Sequence, residues 1–298
     1  MLNSQHFIVL SFIFFIFAII QVCLIKICAM KIKNTILLLM LCSLPFCAFA
    51  DTPIDTLALK IHYATEYIET TNQVGFPAID RQVLEIGNHS SKYYSELTAI
   101  YQNTIDSMRK AKVDIEIFVD YVQNTDKGQT YQIYKNYPQD GQLTWNGSFY
   151  EKIFFGYEEN LPTIEWEFLE GDTTIIGYPC KKAKGTLRGT DWTVWYAIDL
   201  PYSDGPWKLC GLPGVILKAT ESRGCFNFTA IGIETAKEIV PIIHEKRKYQ
   251  KTTPLLYQKE LYIFWDNQKG YINQHILGDF NSKRDKIRLV PYLIEKYE

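Results

Sequence analysis

Carboxylates and aromatic rings are the side chains in this chain whose types and spacing could do chemistry. Glu165 and Glu167 lie two apart in a "TIEWEFL" run, so on an extended strand both face one side. Glu158-Glu159 is a second acidic pair, and Asp191 and Asp199 bracket the aromatic run "DWTVWYAID". Two carboxyl groups beside an aromatic platform are what acid–base cleavage of a glycosidic bond requires. On a solvated strand face the same pairs do nothing but stay hydrated. Other chemistries find less support. His62, His89, His244 and His275 sit at no spacing used by zinc sites, so no metal is expected. No G-x-S-x-G elbow frames a serine, and no glycine-rich loop leads into a helix to hold phosphate. No cofactor is expected.

The elements that would position these groups are strands. "LALKIHYATEY" (57–67) alternates apolar and polar residues with period two. The runs at 81–87, 130–136, 149–157, 163–169, 191–199, 214–219 and 226–234 read the same way. Asp140-Gly141, Asn146-Gly147, Gly171-Asp172 and Gly185 supply turn chemistry between them, with Asn146-Gly147 the strongest hairpin signal. Two helices are predicted. One runs from about Lys92 to Lys110 behind a Ser91 cap; the other starts at Pro254, capped by Thr253, and ends near Asp266. The stretch 112–122 fits helix or strand. The fold class is mainly β: one antiparallel, curved sheet with a few helices packed on it.

In the run 191–199, Trp192, Val194, Tyr196 and Ile198 share one face, and Thr193, Trp195 and Ala197 the other. Both faces are apolar, so both are expected to be covered, by core on one side and by a helix or an apolar or sugar ligand on the other.

The ends of the chain set its compartment. Residues 30–50 carry Lys31 and Lys33, an apolar core and the small-x-small ending Ala48-Phe49-Ala50, the three parts of a secretory signal. Residues 1–29 read as an extension ahead of a natural start at Met30, or as a membrane segment. Residues 51–298 are then one exported domain, periplasmic or secreted. Of 31 Lys and Arg, 28 remain once Lys26, Lys31 and Lys33 leave, against 33 Asp and Glu. That acidic balance argues against a nucleic-acid partner. Four of the seven cysteines leave as well, and Cys210 with Cys225 is a candidate disulfide among the three that stay; small buried thiols are the alternative.

The oddest block is "GPWKLCGLPGVILKAT" (205–220). Gly205-Pro206 makes one corner. Leu212-Pro213-Gly214-Val215 has the composition of a type II turn, with Gly214 supplying positive φ. Between the corners, Trp207 and Leu209 point one way and Lys208 the other. Gly205, Pro206, Trp207, Gly211, Leu212, Pro213 and Gly214 form a candidate binding or structural motif.

This block resembles the signature of the GLPGLI family of exported Bacteroidota proteins, with Val215 in place of leucine. The runs "VLEIGNHSSKYYSE" (83–96), "IYKNYP" (133–138), "IIGYPCKKAKGTLRG" (175–189) and "WTVWYAIDLPYSDGPWK" (192–208) are similar to that family in order. Thr190 departs from it, where relatives tend to carry arginine. The resemblance implies an exported β-rich protein and carries no catalytic residues. The expected function is therefore non-catalytic binding of an apolar ligand, a peptide or an outer-membrane partner, through Trp192, Trp195, Tyr196 and the loop around Gly211. The alternative is a carboxylate-based hydrolase of glycan or cell-envelope material using Glu165, Glu167, Asp191 or Asp199.

Overall fold

A computed structural model describes residues 51–70, 76–149, 153–277, 291 and 293–297. The extension and signal peptide read from residues 1–50 lie outside the described residues. Residues 51–298 form one compact unit.

Its frame is a large, open sheet. The strands are β1 (Thr52–Thr56), β2 (Leu59–Tyr67), β3 (Ala78–Ile86), β4 (Ser91–Ser95), β5 (Gln132–Lys135), β6 (Gln142–Phe149) and β7 (Ile153–Asn160). They continue as β8 (Glu167–Ile175), β9 (Tyr178–Leu187), β10 (Thr190–Ala197), β11 (Val215–Glu221), β12 (Phe226–Thr235), β13 (Pro241–His244) and β14 (Gln250–Lys251). Twelve of them form one sheet in the order β14-β7-β6-β5-β4-β3-β2-β12-β11-β10-β9-β8, while β1 and β13 pair separately. Every pairing in the large sheet is antiparallel except β14 with β7. The predicted mainly β class therefore holds, with a second two-stranded sheet added.

Period-two alternation is what buries one face. In β2, Leu59, Ile61, Tyr63 and Tyr67 are buried and the residues between them are not, apart from Thr65. Thr65 is satisfied by donating to Gln82 Oε1 at 3.2 Å. One core cluster runs through both halves of the sheet.

Among the described residues the α-helices are α1 (Glu96–Ala111), α2 (Ile115–Asn124), α3 (Pro254–Asp266) and α4 (Gln268–Ile272), the last running on into a π-helix, Asn273–Leu277. The first starts later than expected, because residues 91–95 pair with both β3 and β5 and Ser95, not Ser91, caps it through Thr98 N at 3.1 Å. Tyr94 thus belongs to a strand, where its hydroxyl donates to Glu85 at 2.9 Å. The ambiguous 112–122 stretch resolves as α2, capped by Asp114. α3 has the predicted bounds, with Thr253 accepting from Leu256 N.

The hairpin at Asn146-Gly147 is not formed. Both residues lie inside β6, opposite Gly156 and Phe155. Gly147 is small because the Trp145 ring lies across it: a Cβ there would fall 2.3 Å from that ring. Instead β6 runs on to Phe149, which pairs with Ile153 of β7. Gly171-Asp172 is likewise a bulge within β8 rather than a turn, and Gly185 sits inside β9.

Candidate functional site

The 205–214 loop is packed away, and two buried lysines hold it. Lys135, on β5, donates to the carbonyls of Gly205 at 2.6 Å and Leu209 at 3.2 Å, and pairs with Asp204. Within the loop, Leu209 N bonds Pro206 O at 3.1 Å and Trp207 takes φ 54, so the chain turns back on itself. Trp207, Lys208 and Leu209 are all buried, which corrects the expectation that Lys208 faces the opposite way to its neighbours in an extended piece. The positive φ is at Gly211 (93), not Gly214. Gly214 is glycine for another reason: a Cβ would sit 2.0 Å from the Ala197 carbonyl oxygen. Gly211 is exposed at the tip, and Trp166 Nε1 caps the next carbonyl back, Cys210 O, at 2.9 Å. Leu212 is buried and Pro213 exposed.

Lys208 is the centre of a buried ion cluster. Its ammonium contacts Glu159 Oε1 at 2.7 Å, Tyr157 and Tyr297 hydroxyls at 3.0 Å each, and Glu295. Arg188 joins both carboxylates, at 2.7 Å to Glu159 and 3.3 Å to Glu295. Two acids and two bases balance, which is the condition for keeping such charges out of water. Burial still pushes the Glu295 carboxyl up, more than Lys208 pulls it down.

Beside this cluster lies a cavity of about 500 Å³. Its walls come from β6, β7, the loop before β5, α3 and the 291–297 segment. The rings interlock: Trp145 stacks on Tyr157 with centroids 5.0 Å apart, Tyr257 meets Trp145 at 4.3 Å, and Phe149 stacks on Phe264 at 4.8 Å. Among them sit polar groups, including Glu69, Gln129, Ser148 and Gln258. Burial, with the nearby Asp80 charge second, raises the Glu69 carboxyl to about 7. Asp80 is itself held by Ser95 Oγ at 2.8 Å and by the Gln129 backbone at 3.0 Å. Size and lining fall in the range of small-ligand sites.

The predicted site residues distribute unevenly around this cavity. Trp207 lines it. Trp192 stands behind, 5.8 Å from Trp207, and Tyr196 is buried nearer the β8 edge, against Phe168. The second face of β10 is not covered: Asp191 and Thr193 are exposed, and Trp195 is half-buried under Lys182, whose nitrogen is 5.4 Å from the ring. The four candidate acids do not converge. All are exposed; Glu167 pairs with Lys184 at 3.0 Å and Asp191 accepts from Thr186 at 2.6 Å. The candidate bridge is not formed either. Cys210 and Cys225 are free and buried, as is Cys180, and burial lifts the Cys210 thiol to about 11. Among the described residues no three His, Cys, Asp or Glu gather to hold a metal ion, and no helix is long and apolar enough to cross a membrane.

Sequence reasoning missed Glu69, Lys208 and Glu295. Only Lys208 carried a local signal, as a lone charge in the otherwise uncharged run 205–217.

Comparison with known proteins matches part of the chain. Residues 148–259 match the family model described as the N-terminal domain of N-glycanase peptide. Two solved structures of PNGF-II, in C2 and P21 space groups, are similar at 15% and 14% identity, with TM-scores of 0.45 and 0.44. Each alignment covers 69% of this chain and 33% of the other, so the chain spans about a third of the length of those structures. No curated protein matches in sequence. The family match attaches to a part of the chain: residues 148–259, which contain the whole 205–220 block, are similar to the N-terminal domain of an N-glycanase.

Proposed function

We propose that this is an exported, non-catalytic binding protein of the cell envelope whose cavity takes part of a glycan or glycopeptide. The observation that carries the reading is the cavity itself: about 500 Å³, walled by interlocked rings and studded with planar polar groups. Rings stack on the apolar face of a sugar, while Gln129, Gln258 and Glu69 offer amide and carboxyl groups for its hydroxyls. The similarity of residues 148–259 to a domain of an N-glycanase supports a glycan in particular. The resemblance of the 205–220 block to the GLPGLI signature supports export without a catalytic residue set.

The test is calorimetric titration of residues 51–298 with an N-glycosylated peptide, its deglycosylated form and a long-chain fatty acid. Saturable binding of the glycosylated peptide alone is expected. Leu261→Trp, which fills the cavity from α3, should abolish it while leaving the thermal transition in place. No heat from the glycosylated peptide at about 1 mM, or binding untouched by Leu261→Trp, overturns the reading.

A second reading, hydrolysis, is favoured by one observation. Glu69 faces the cavity with its carboxyl raised to about 7, the range of a general acid. In that case Glu69, and not the exposed strand acids, carries the chemistry. Release of sugar from the glycosylated peptide, lost in Glu69→Gln while binding persists, would select it.

A further inference from the structure

The wall of the cavity formed by residues 291–297 is unlike the others. Among its described residues, 291 and 293–297, none lies in a helix and, beyond one bridge between Pro291 and Thr70, none in a strand. The body grips its backbone at three points. Arg223 Nη2 donates to Leu293 O at 2.8 Å, Lys296 N donates to Arg188 O at 3.1 Å, and Tyr297 N donates to Gln258 Oε1 at 2.9 Å. Between these grips, one side chain is read. Glu295 enters the socket made by Lys208 and Arg188, with Lys208 fully buried on a loop 87 residues away. Ile294 and Tyr297 flank it; the Tyr297 ring lies 4.4 Å under the Arg188 guanidinium. Backbone grips plus one buried charge, flanked by an aliphatic side chain and a ring stacked on a guanidinium, are contacts of the kind by which proteins recognise extended peptides.

We propose that this surface is a peptide-recognition socket, occupied here by the chain's own 291–297 segment. Its partner is an extended peptide carrying one carboxylate between an aliphatic residue and an aromatic one, the pattern Ile-Glu-x-Tyr. A partner of that chemistry displaces the resident segment, and in doing so removes one wall of the cavity. The socket stands on these contacts whatever the cavity holds. Two carboxylates already face the two bases, so the socket is balanced only when a peptide acid completes it. Glu159, from β7, is the fixed one, and Glu295 is the exchangeable one.

The resident segment is tethered, and a tether gives an effective concentration near the millimolar range, so a free peptide competes poorly against it in the wild-type chain. The experiment therefore weakens the resident rather than deleting it. The probe is a fluorescent peptide of residues 291–298, PYLIEKYE, read by anisotropy against the whole domain. The Glu295→Gln chain should bind this peptide at least about tenfold more tightly than wild type does, because only the free peptide now offers Lys208 and Arg188 the second carboxylate beside Glu159. The same peptide with glutamine in place of its first glutamate should bind that chain at least about tenfold more weakly. Should the Glu295→Gln chain fail to fold, Tyr297→Ala loosens the segment while keeping all four charges of the cluster, and the same peptide should bind it more tightly than wild type. Equal binding of the two peptides, or no gain by the weakened chain that folds, overturns the proposal.

Discussion

Replacing Lys208 with methionine keeps the unbranched stem of the side chain and removes its charge, which makes it the sharpest probe of the ion cluster. The residue is fully enclosed and has four polar partners, Glu159, Glu295, Tyr157 and Tyr297. Removing one member of a buried pair costs about 3–5 kcal/mol, because the other charge is left without compensation. Arg188 still reaches both carboxylates, at 2.7 and 3.3 Å, so the lower end applies, about 3 kcal/mol. For a domain of this size each kcal/mol moves the melting temperature by about 2–4 °C, so a fall of about 6–12 °C is expected. The loss must also depend on pH. The Glu295 carboxyl is already raised above its ordinary 4.5 by burial, and loses in this variant the base that draws it down. A carboxyl raised in the folded state stabilises below its unfolded value and loses that stability as pH rises through the folded one. The variant should therefore recover toward wild type as pH is lowered to about 4.5. Thermal melts by circular dichroism from pH 4 to 8 measure both effects. A fall under about 2 °C at pH 7, or a deficit that does not shrink in acid, would refute the reasoning.

Glu69 gives a second pH signature. Its carboxyl is raised from 4.5 to about 7, so wild-type stability should decline between those values as pH rises, and Glu69→Gln should flatten the curve in denaturant titrations. Gly214→Ala should cost at least about 3 kcal/mol or prevent folding, since its Cβ would meet the Ala197 carbonyl at 2.0 Å. Gly141→Ala, in open space at φ 75, should cost only about 1–2 kcal/mol, and urea melts of the two variants compare them directly. Cys180, Cys210 and Cys225 should resist a thiol reagent in the native domain, react together on denaturation, and show no mass increase on reduction.

The strands were legible because alternation is a local signal, and so was α3, where Thr253 and Pro254 mark a start that needs no distant contact. Failures arose where a side chain elsewhere decided the backbone's use. Asn146-Gly147 has hairpin composition, but Trp145 lays its ring over Gly147 and keeps β6 straight through it. Gly214 stands where a type II turn would want positive φ, yet its smallness serves the approach of Ala197, and Gly211 takes the turn conformation. The site was the least legible part. Glu165 and Glu167 advertise themselves by spacing but end in solvent, whereas Lys208, Glu159 and Glu295 meet only after the sheet has formed. No pattern within a short window can express that meeting.

The two buried lysines also fix the order in which the domain can assemble. Lys135 meets Asp204 across 69 residues, and Lys208 meets Glu159 across 49 and Glu295 across 87. An ammonium cannot leave water until its counter-charges are waiting, since desolvation alone costs several kcal/mol per ion. The 205–214 loop must then condense late, onto strands already in register. Its contacts should be absent from the folding nucleus and chiefly slow unfolding, which makes this loop a determinant of how long the domain stays folded rather than how fast it gets there.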